Sequence, residues 1–311
     1  MKVLITCPPM LRAKDEFEPL MRARGLEPVC PDVTQTLSED ELIDLLPTVD
    51  GWIIGDDPAT LQVLKAGIDG RLKAAVKWGA GVDNVDFEAF RELHIPITNT
   101  PGMFGNEVAD IALCYSLMLA RPVLQIDKSV REGRWEKLPG ISMAGKTAGI
   151  VGLGDIGLQT SRRMRSIGMR VIGWDPAVSQ LADTDIEVAE WPGRIAECDF
   201  IIFTCALNAS NQHMYNHHTI ALSKDGVRVV NVARGGLIDE TAVQMGLASG
   251  KIHSAALDVF EVEPLPERSP LREHPLCIFG THNSSNTHEA VYRTSVRAID
   301  LLADFLKGSN A

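Results

Sequence analysis

Features that would place the chain in a specialised class of protein are absent from its sequence. Its six cysteines include no Cys-x-x-Cys pair and no regular spacing, which argues against a structural zinc site. Most of them lie in apolar stretches, so buried, reduced thiols are expected. No stretch approaches the ~20 apolar residues of a membrane span, and the apolar N-terminus is too short for a signal peptide. We therefore predict no metal site, no membrane association and a cytoplasmic location.

Positive charge is also scarce. The chain has 30 Lys and Arg residues against 41 Asp and Glu residues, a net charge of -11. Nucleic acids and anionic membranes both favour basic surfaces, so neither is expected as a partner. With 45% apolar and 23% charged residues the composition is that of a globular protein, and 311 residues suffice for two domains.

A glycine pattern lies close to the midpoint of the chain. Gly152, Gly154 and Gly157 form a Gly-x-Gly-x-x-Gly motif directly after the apolar stretch 147–151. In a nucleotide-binding unit the first glycine permits a tight turn, the second lets backbone approach a pyrophosphate, and the third lets helix and strand pack closely. Taken alone, the pattern is equally consistent with a simple turn.

A carboxylate at the end of the next predicted strand makes the motif more specific. Asp175 follows the apolar stretch 169–174, where it is placed to accept from both hydroxyls of an adenosine ribose. It would repel the 2′-phosphate of NADP, and no Arg or Lys occurs in residues 176–179. The sequence therefore predicts NAD as the cofactor. A turn cap before Pro176 is the alternative role for Asp175.

Short apolar stretches alternate with helix-like stretches before the motif. Strands are expected at residues 3–6, 28–30, 52–55, 74–77 and 97–99. This alternation is typical of a parallel α/β layer over residues 1–100. A long apolar helix follows at 106–120, and residues 288–306 form an amphipathic pattern. If that last helix packs on the first layer, the nucleotide unit is an insertion, and substrate is expected in a cleft between the domains.

Three polar residues follow three further predicted strands. Arg234 comes after residues 227–232, Glu263 lies in the segment after 256–257, and His282 follows 277–279. Ligands of open α/β folds bind at the carboxyl ends of strands, so the three side chains are expected to converge.

Together these three residues suit hydride transfer from a 2-hydroxy acid. His has the right intrinsic pKa to exchange the hydroxyl proton, a neighbouring Glu263 carboxylate would raise the pKa of His282, and Arg grips a carboxylate in bidentate fashion. Singly, Arg234 is equally explained as a loop residue, Glu263 as part of a turn before Pro264, and His282 as a buried histidine.

With these segments in order, the chain resembles the D-isomer-specific 2-hydroxyacid dehydrogenases, closest to short phosphoglycerate-dehydrogenase-like members. The resemblance covers nearly the whole chain through residues 79–86, 99–102, 152–157, 231–240, 256–266 and 282–290. It implies two doubly wound parallel-sheet domains. A flavodoxin-like substrate-binding domain would comprise residues 1–100 and 286–311, and an inserted Rossmann NAD-binding domain residues 101–285.

The resemblance also implies roles for individual residues. The catalytic residues would be Arg234, Glu263 and His282. Residues implied at the cofactor are Gly152, Gly154, Asp155, Ile156, Gly157, Asp175, Cys205, Val232, Ala233, Arg234, Asp258, His282 and Ser284. Asp155 and Ile156 would lie at the pyrophosphate and Asp258 at the nicotinamide carboxamide. The substrate carboxylate would bind the backbone of Ala80 and Gly81, together with Arg234 and His282.

The sequence departs from the family pattern at several positions. Thr281 stands where a proline commonly precedes the catalytic His, so His282 is expected to be less rigidly held; Ala206 also replaces a common proline. Asp56 and Asp57 lie near the expected substrate tail and would repel a phosphate. Positive charge from Lys77 or Lys137 would offset this, but both are expected to be solvated surface lysines.

We expect an NAD-dependent oxidoreductase that transfers a hydride between nicotinamide and C2 of a D-2-hydroxy or 2-oxo acid, with His282 as acid and base. The first candidate substrate is 3-phosphoglycerate; the alternatives are glyoxylate, hydroxypyruvate or a sugar-derived hydroxy acid. An NAD(H)-sensing, corepressor-like interaction protein is the alternative from another class. The resemblance further implies a homodimer with an arm near residues 121–135, although that segment would equally suit an intramolecular helix.

Overall fold

The computed structural model describes residues 1–181 and 185–308, which form two compact units. Unit 1 comprises residues 1–104 and the segment from residue 286 onward, and unit 2 comprises residues 105–285. The boundaries expected from the sequence lie at residues 100 and 285. Residues 182–184 and 309–311, which belong to the predicted domains, lie outside the described residues.

Unit 1 is built around a five-stranded parallel sheet. Its strands are β1 (Lys2–Ile5), β2 (Glu27–Val29), β3 (Gly51–Ile54), β4 (Ala74–Lys77) and β5 (Ile97–Asn99). Its helices are α1 (Pro8–Arg12), α2 (Lys14–Arg22), α3 (Glu39–Leu45), α4 (Leu61–Asp69), α5 (Phe87–Glu92) and α11 (His288–Gly308). The strand order β2-β1-β3-β4-β5 is the flavodoxin-like order, so the predicted fold class is confirmed for this unit.

Two helices of unit 1 begin at residues whose side chains cap the first turn. Ser38 and Glu41 form a capping box at the start of α3, and Thr60 accepts from the backbone N–H of Val63 at the start of α4. In α11 the apolar face includes Leu302 and Leu306, both buried against Gly51 of β3, where a Cβ atom would lie 3.1 to 3.3 Å from their methyl groups. The predicted C-terminal amphipathic helix therefore completes the core of unit 1.

Unit 2 contains a seven-stranded parallel sheet. Its strands are β6 (Thr147–Val151), β7 (Arg170–Trp174), β8 (Ile186–Ala189), β9 (Phe200–Phe203), β10 (Val227–Asn231), β11 (Ile252–Leu257) and β12 (Cys277–Phe279). Its helices are α6 (Gly105–Ala120), α7 (Val123–Arg131), α8 (Asp155–Ser166), α9 (His217–Leu222) and α10 (Glu240–Ser249). The order β12-β11-β10-β9-β6-β7-β8 is the Rossmann order with one added strand, as predicted.

Across the described part of the chain, no single helix has the length and apolar character needed to cross a membrane. Taken together, α6 and α7 meet the requirements of length and composition, but they are bent by 66° at their junction.

All six cysteines are free thiols, but only two are buried. Cys7 and Cys198 are buried, Cys114 is exposed, and the other three are half-buried. The expectation that most would be buried is therefore wrong. Cys114 lies on an exposed face of α6 and Cys277 on the edge strand β12, while Cys30 and Cys205 follow the ends of β2 and β9. At Cys198, burial raises the pKa of the thiol to about 12.

The turn between β6 and α8 shows what each glycine of the motif does. Gly152 has φ +96°, a left-handed conformation that glycine adopts without strain. A Cβ atom on Gly157 would lie 1.9 Å from the carbonyl oxygen of Gly152, so α8 approaches β6 too closely for any side chain there. A Cβ atom on Gly154 would meet no atom within 4 Å.

These distances predict opposite effects for two glycine substitutions on stability. Gly157→Ala is expected to lower the free energy of unfolding of unit 2 by about 1–3 kcal/mol, because the helix must shift to admit the methyl group. Gly154→Ala is the matched control and should leave the unfolding transition nearly unchanged. Thermal unfolding followed by far-UV circular dichroism measures both. Equal transitions for the two variants would contradict the close approach of α8 to β6.

Candidate functional site

Three loops at the carboxyl edge of the unit 2 sheet carry the predicted catalytic residues. Arg234 follows β10, Glu263 lies in the segment after β11, and His282 follows β12. These strands are neighbours in the sheet and run parallel, so their carboxyl ends meet at one edge. The structure thus brings together three residues that are separated by up to 48 positions in the chain.

The imidazole of His282 is hydrogen-bonded to Glu263. Its Nδ1 lies 2.8 Å from Oε2 of Glu263, and both side chains are about one-fifth exposed. The other carboxylate oxygen, Oε1, accepts from the backbone N–H of Phe260 at 3.0 Å. Glu263 is therefore anchored on one side and orients the imidazole on the other.

The second ring nitrogen of His282 faces Arg234. Nη1 of Arg234 lies 3.4 Å from Nε2 of His282 and also donates to the carbonyl oxygen of Ala233 at 2.9 Å. A guanidinium only donates hydrogen bonds, so Nε2 faces it as an acceptor and the ring proton lies on Nδ1, where it is donated to Glu263. This tautomer leaves the lone pair of Nε2 in front of the guanidinium.

Asp258 holds the backbone that carries His282. Its carbonyl oxygen accepts from the N–H of His282 at 2.7 Å. Its carboxylate, which is 2% exposed, accepts from the N–H of Asn283 and from both the N–H and the hydroxyl of Ser284, the last at 2.5 Å. His282 itself has φ +54°, an unfavourable conformation for a residue with a side chain. These hydrogen bonds hold it there without the proline that the family pattern has at position 281.

Helix α6 adds a fourth donor to the Asp258 carboxylate. The hydroxyl of Tyr115 lies 3.4 Å from Oδ1 of Asp258. Burial and the neighbouring Asp258 charge raise the pKa of Tyr115, so its hydroxyl stays protonated as a donor. A Cβ atom on Gly280 would lie 1.9 Å from Oδ1 and 2.4 Å from the tyrosine oxygen, so only glycine fits at that position.

The β6–α8 turn has the space and donors that a dinucleotide requires. Gly154 borders open space, and Asp155 and Ile156 begin α8, whose first N–H groups have no partner within the helix. The carboxylate of Asp155 is turned away toward α6, since a Cβ atom on Gly105 would lie within 2.5 Å of it. The backbone at this turn therefore suits a pyrophosphate.

Asp175 lies next to this turn, at the end of β7. Its Oδ2 accepts from the N–H of Leu153 at 2.8 Å and its Oδ1 from the N–H of Ala177 at 2.9 Å. The carboxylate is thus fixed beside the glycine turn while remaining partly exposed. This position fits a ribose diol, and the adjacent negative charge disfavours a 2′-phosphate. Asp175 also caps the turn through the N–H of Ala177, and this role is compatible with its position beside the glycine turn.

Other residues implied at the cofactor lie at the same sheet edge. The backbone of Cys205 packs against the turn, 2.7 Å from the position of a Cβ atom on Gly152. Thr204 donates to the carbonyl oxygens of Val151 and Gly152, which ties the loop after β9 to the turn. Val232 and Ala233 follow β10 and are nearly buried. The residues present in unit 2 therefore fit NAD.

The Ala80 and Gly81 loop lies in unit 1, after β4. It is held by Thr100, whose hydroxyl accepts from the N–H of Gly79 at 2.8 Å, and by Asn99, which donates to the carbonyl oxygen of Ala80 at 3.1 Å. Within residues 1–181 and 185–308, no protein acceptor takes the N–H groups of Ala80 and Gly81. Two adjacent N–H groups of this kind can bind a carboxylate.

Lys77 is not the solvated surface lysine that its residue type suggests. It is 2% exposed, donates to the carbonyl oxygen of Gly55 at 2.5 Å and forms an ion pair with Asp56 at 2.9 Å. Lys137 is exposed, as expected. Asp57 is fully buried and accepts from the N–H groups of Leu37 and Gly55, so it supports the fold. The prediction that both aspartates would repel a substrate phosphate is therefore wrong for Asp57.

Two glutamates at the same sheet edge have no place among the predicted site residues. Glu240 and Glu261 each accept a hydrogen bond from the backbone N–H of the other. The sequence signals were present, since Glu240 starts a helix after Arg234 and Glu261 lies two residues before Glu263. Neither position, however, indicates which backbone group the side chain reaches.

Comparisons with known proteins agree with this geometry. Residues 113–284 match the model of the family described as D-isomer specific 2-hydroxyacid dehydrogenase, NAD binding domain. A hydroxypyruvate reductase of Thermotoga maritima is 35% identical over 292 residues, covering 92% of this chain and 93% of the relative. The human D-3-phosphoglycerate dehydrogenase is 38% identical over 283 residues, covering 89% of this chain but 52% of the relative. The chain thus spans about half the length of that dehydrogenase.

Solved structures show the same architecture. The apo structure of D-lactate dehydrogenase from Escherichia coli superimposes with a TM-score of 0.84 at 28% identity, covering 99% of this chain and 98% of that one. The TT0316 protein from Thermus thermophilus gives a TM-score of 0.86 at 28% identity, covering 99% and 97%. From the family match and the identity across nearly the whole chain, this protein belongs to the D-isomer specific 2-hydroxyacid dehydrogenases and is an NAD-dependent oxidoreductase.

Proposed function

We propose that the protein interconverts a D-2-hydroxy acid and its 2-oxo acid, with His282 exchanging the proton. The observation that carries this proposal is the line of contacts from Glu263 through His282 to Arg234, with distances of 2.8 and 3.4 Å at the two ring nitrogens. A proton acceptor thus faces a permanent positive charge at the carboxyl edge of the sheet.

In the oxidation direction, Nε2 of His282 takes the proton of the substrate hydroxyl, since the tautomer set by Glu263 makes Nε2 the unprotonated ring nitrogen. Bound NAD supplies the hydride acceptor. The imidazolium that forms keeps its Nδ1–H bond to Glu263, whose negative charge stabilises it. In the reduction direction the same nitrogen returns the proton to the carbonyl oxygen.

Arg234 orients the substrate. Its guanidinium suits a carboxylate through paired N–H donors, and its position beside Nε2 places the 2-hydroxyl of a bound acid near the base. We also propose that the backbone N–H groups of Ala80 and Gly81 in unit 1 bind a carboxylate. The proposal for these two residues rests on their available N–H groups and on the resemblance of residues 79–86 to the family pattern.

The first test concerns the base. His282→Ala is expected to lower kcat by about 10²–10⁴-fold, the usual contribution of a general acid or base. The dissociation constant for NADH, measured by quenching of protein fluorescence, should change little. His218→Ala, exposed on α9, is the control and should retain the activity of the unsubstituted protein. Near-normal turnover by His282→Ala would reject His282 as the acid and base.

We further propose that the substrate tail carries no phosphate, with hydroxypyruvate or a similar short 2-oxo acid as substrate. The ion pair with Asp56 neutralises Lys77 close to the Ala80 and Gly81 loop, where a Cβ atom on Gly79 would lie 3.9 Å from the lysine Nζ. A phosphate there would meet the Asp56 carboxylate and find the lysine already paired. The hydroxypyruvate reductase that matches over 93% of its length supports the same choice.

Steady-state reduction of hydroxypyruvate and of 3-phosphohydroxypyruvate tests this proposal. We expect a higher kcat/KM for hydroxypyruvate. Asp56→Asn should raise the relative kcat/KM for the phosphorylated substrate by roughly tenfold, because a like charge a few ångströms away costs about 1–4 kcal/mol. Asp69→Asn, exposed at the end of α4, is the control. A preference of the unsubstituted protein for the phosphorylated substrate would overturn the proposal.

We also propose that the protein is a homodimer that associates through α7 and the segment that follows it. Val123, Leu124 and Val130 on α7 are 54%, 47% and 48% exposed, and Trp135 is 81% exposed. Apolar side chains grouped in one segment in this way are typical of a protein interface. The resemblance to this family also implies a homodimer with an arm near residues 121–135, which supports the same segment as the interface.

Oligomeric state is measured by size-exclusion chromatography with light scattering. The unsubstituted protein is expected to elute as a dimer, and Leu124→Glu to shift it toward the monomer, since a buried unpaired charge is unfavourable. Met245→Glu, on the 59% exposed Met245 of α10, should leave the dimer intact. A monomer at micromolar concentration before any substitution would refute the proposal.

A further inference from the structure

Two loops of unit 2 are joined by a pair of reciprocal hydrogen bonds. The backbone N–H of Glu240 donates to Oε1 of Glu261 at 2.8 Å, and the backbone N–H of Glu261 donates to Oε1 of Glu240 at 2.7 Å. We call this the Glu240–Glu261 pair. Each carboxylate binds the main chain of the other loop, so the pair fixes the relative position of two backbones.

The two loops both belong to the candidate site. Glu240 begins α10, directly after the loop that carries Arg234, and Glu261 lies two residues before Glu263. The backbones meet again nearby, since a Cβ atom on Gly235 would lie 1.8 Å from the carbonyl carbon of Phe260. The loops are thus in contact at Gly235 and joined by hydrogen bonds at Glu240.

The geometry continues from this pair to the imidazole. The Phe260 N–H donates to Oε1 of Glu263, whose Oε2 accepts from Nδ1 of His282. A displacement of residues 260 and 261 would therefore move the Glu263 carboxylate. The Glu240 side chain holds the backbone at Glu261. The orientation of the His282 imidazole therefore depends on Glu240, although Glu240 does not contact His282.

The carboxylates of Glu240, Glu261 and Glu263 lie near one another, and their mutual repulsion is unfavourable. Burial, and then the negative charges of Glu261 and Glu263, raise the pKa of Glu240, although the N–H of Glu261 opposes the shift. Nε2 of His213 lies 3.4 Å from Oε2 of Glu261. Neighbouring carboxylates are unfavourable unless each is hydrogen-bonded, and here each accepts from a backbone N–H.

We propose that Glu240 and Glu261 are positioning residues that set the Glu263 carboxylate, and through it the imidazole of His282, by fixing one active-site loop against the other. The inference rests on the proposed role of Glu263 and His282. It assigns the effect to the hydrogen bonds rather than to the charge of Glu240.

A double-mutant cycle tests the inference. Glu240→Ala removes the acceptor for the Glu261 N–H and is expected to lower kcat roughly tenfold, as for the loss of one hydrogen bond to a charged group. Glu240→Gln keeps an acceptor oxygen and should restore most of the activity. In the Glu263→Gln background, Glu240→Ala should add less than about a twofold loss, because the two residues act in series.

Three controls separate positioning from general damage. Glu261→Ala removes the other hydrogen bond and should reproduce the effect of Glu240→Ala. Glu267→Ala, on an exposed side chain of the same segment, should leave kcat unchanged. The dissociation constant for NADH should stay within about twofold in every variant, since the β6–α8 turn and Asp175, where the pyrophosphate and ribose are expected, lie on other loops. A collapse of the fold would weaken NADH binding as well as turnover.

The outcomes distinguish this inference from the proposed function. If Glu263→Gln has full activity, the role proposed for Glu263 fails and the inference fails with it. If Glu263→Gln is impaired but Glu240→Ala costs the same factor with and without that substitution, the inference alone is overturned. Equal loss in Glu240→Gln and Glu240→Ala would also overturn it, because the effect would then follow the charge.

Discussion

The parallel direction of the unit 2 strands is the constraint on which the site depends. Parallel strands place all their carboxyl ends at one edge, so loops far apart in sequence become neighbours without any interaction of their own. The glycine turn after β6, Arg234 after β10 and His282 after β12 share an edge for this reason alone. Fine positioning is then left to short-range hydrogen bonds between the loops.

These hydrogen bonds come mainly from carboxylates that bind backbone N–H groups. Asp175 holds Leu153, Glu263 holds Phe260, and Asp258 holds Asn283 and Ser284. A carboxylate can accept several such bonds at once, and a charged acceptor binds an N–H more strongly than a neutral one. Some of the many acidic residues of the chain therefore stabilise the loops of the site, in addition to those that lie on the surface.

The fold, and the shared position of Arg234, Glu263 and His282 at one sheet edge, are predictable from the sequence because both follow from local patterns. Alternating apolar stretches mark the strands, and Gly152 and Gly157 occupy positions whose geometry only glycine fits without strain. Contacts between loops are different. The burial of Lys77 against Asp56 and the pairing of Glu240 with Glu261 follow no periodicity, since each depends on the exact path of two separate backbones.

The donors around Asp258 have a consequence for the energetics of cofactor binding. The loop that carries His282 is held by hydrogen bonds to a buried carboxylate within the protein itself, so its conformation does not require a ligand. If the loop were flexible, ordering it on cofactor binding would cost conformational entropy, which would weaken binding and slow association. The cost of holding His282 at its unfavourable φ is met during folding, so that cofactor association proceeds on a surface that is already formed.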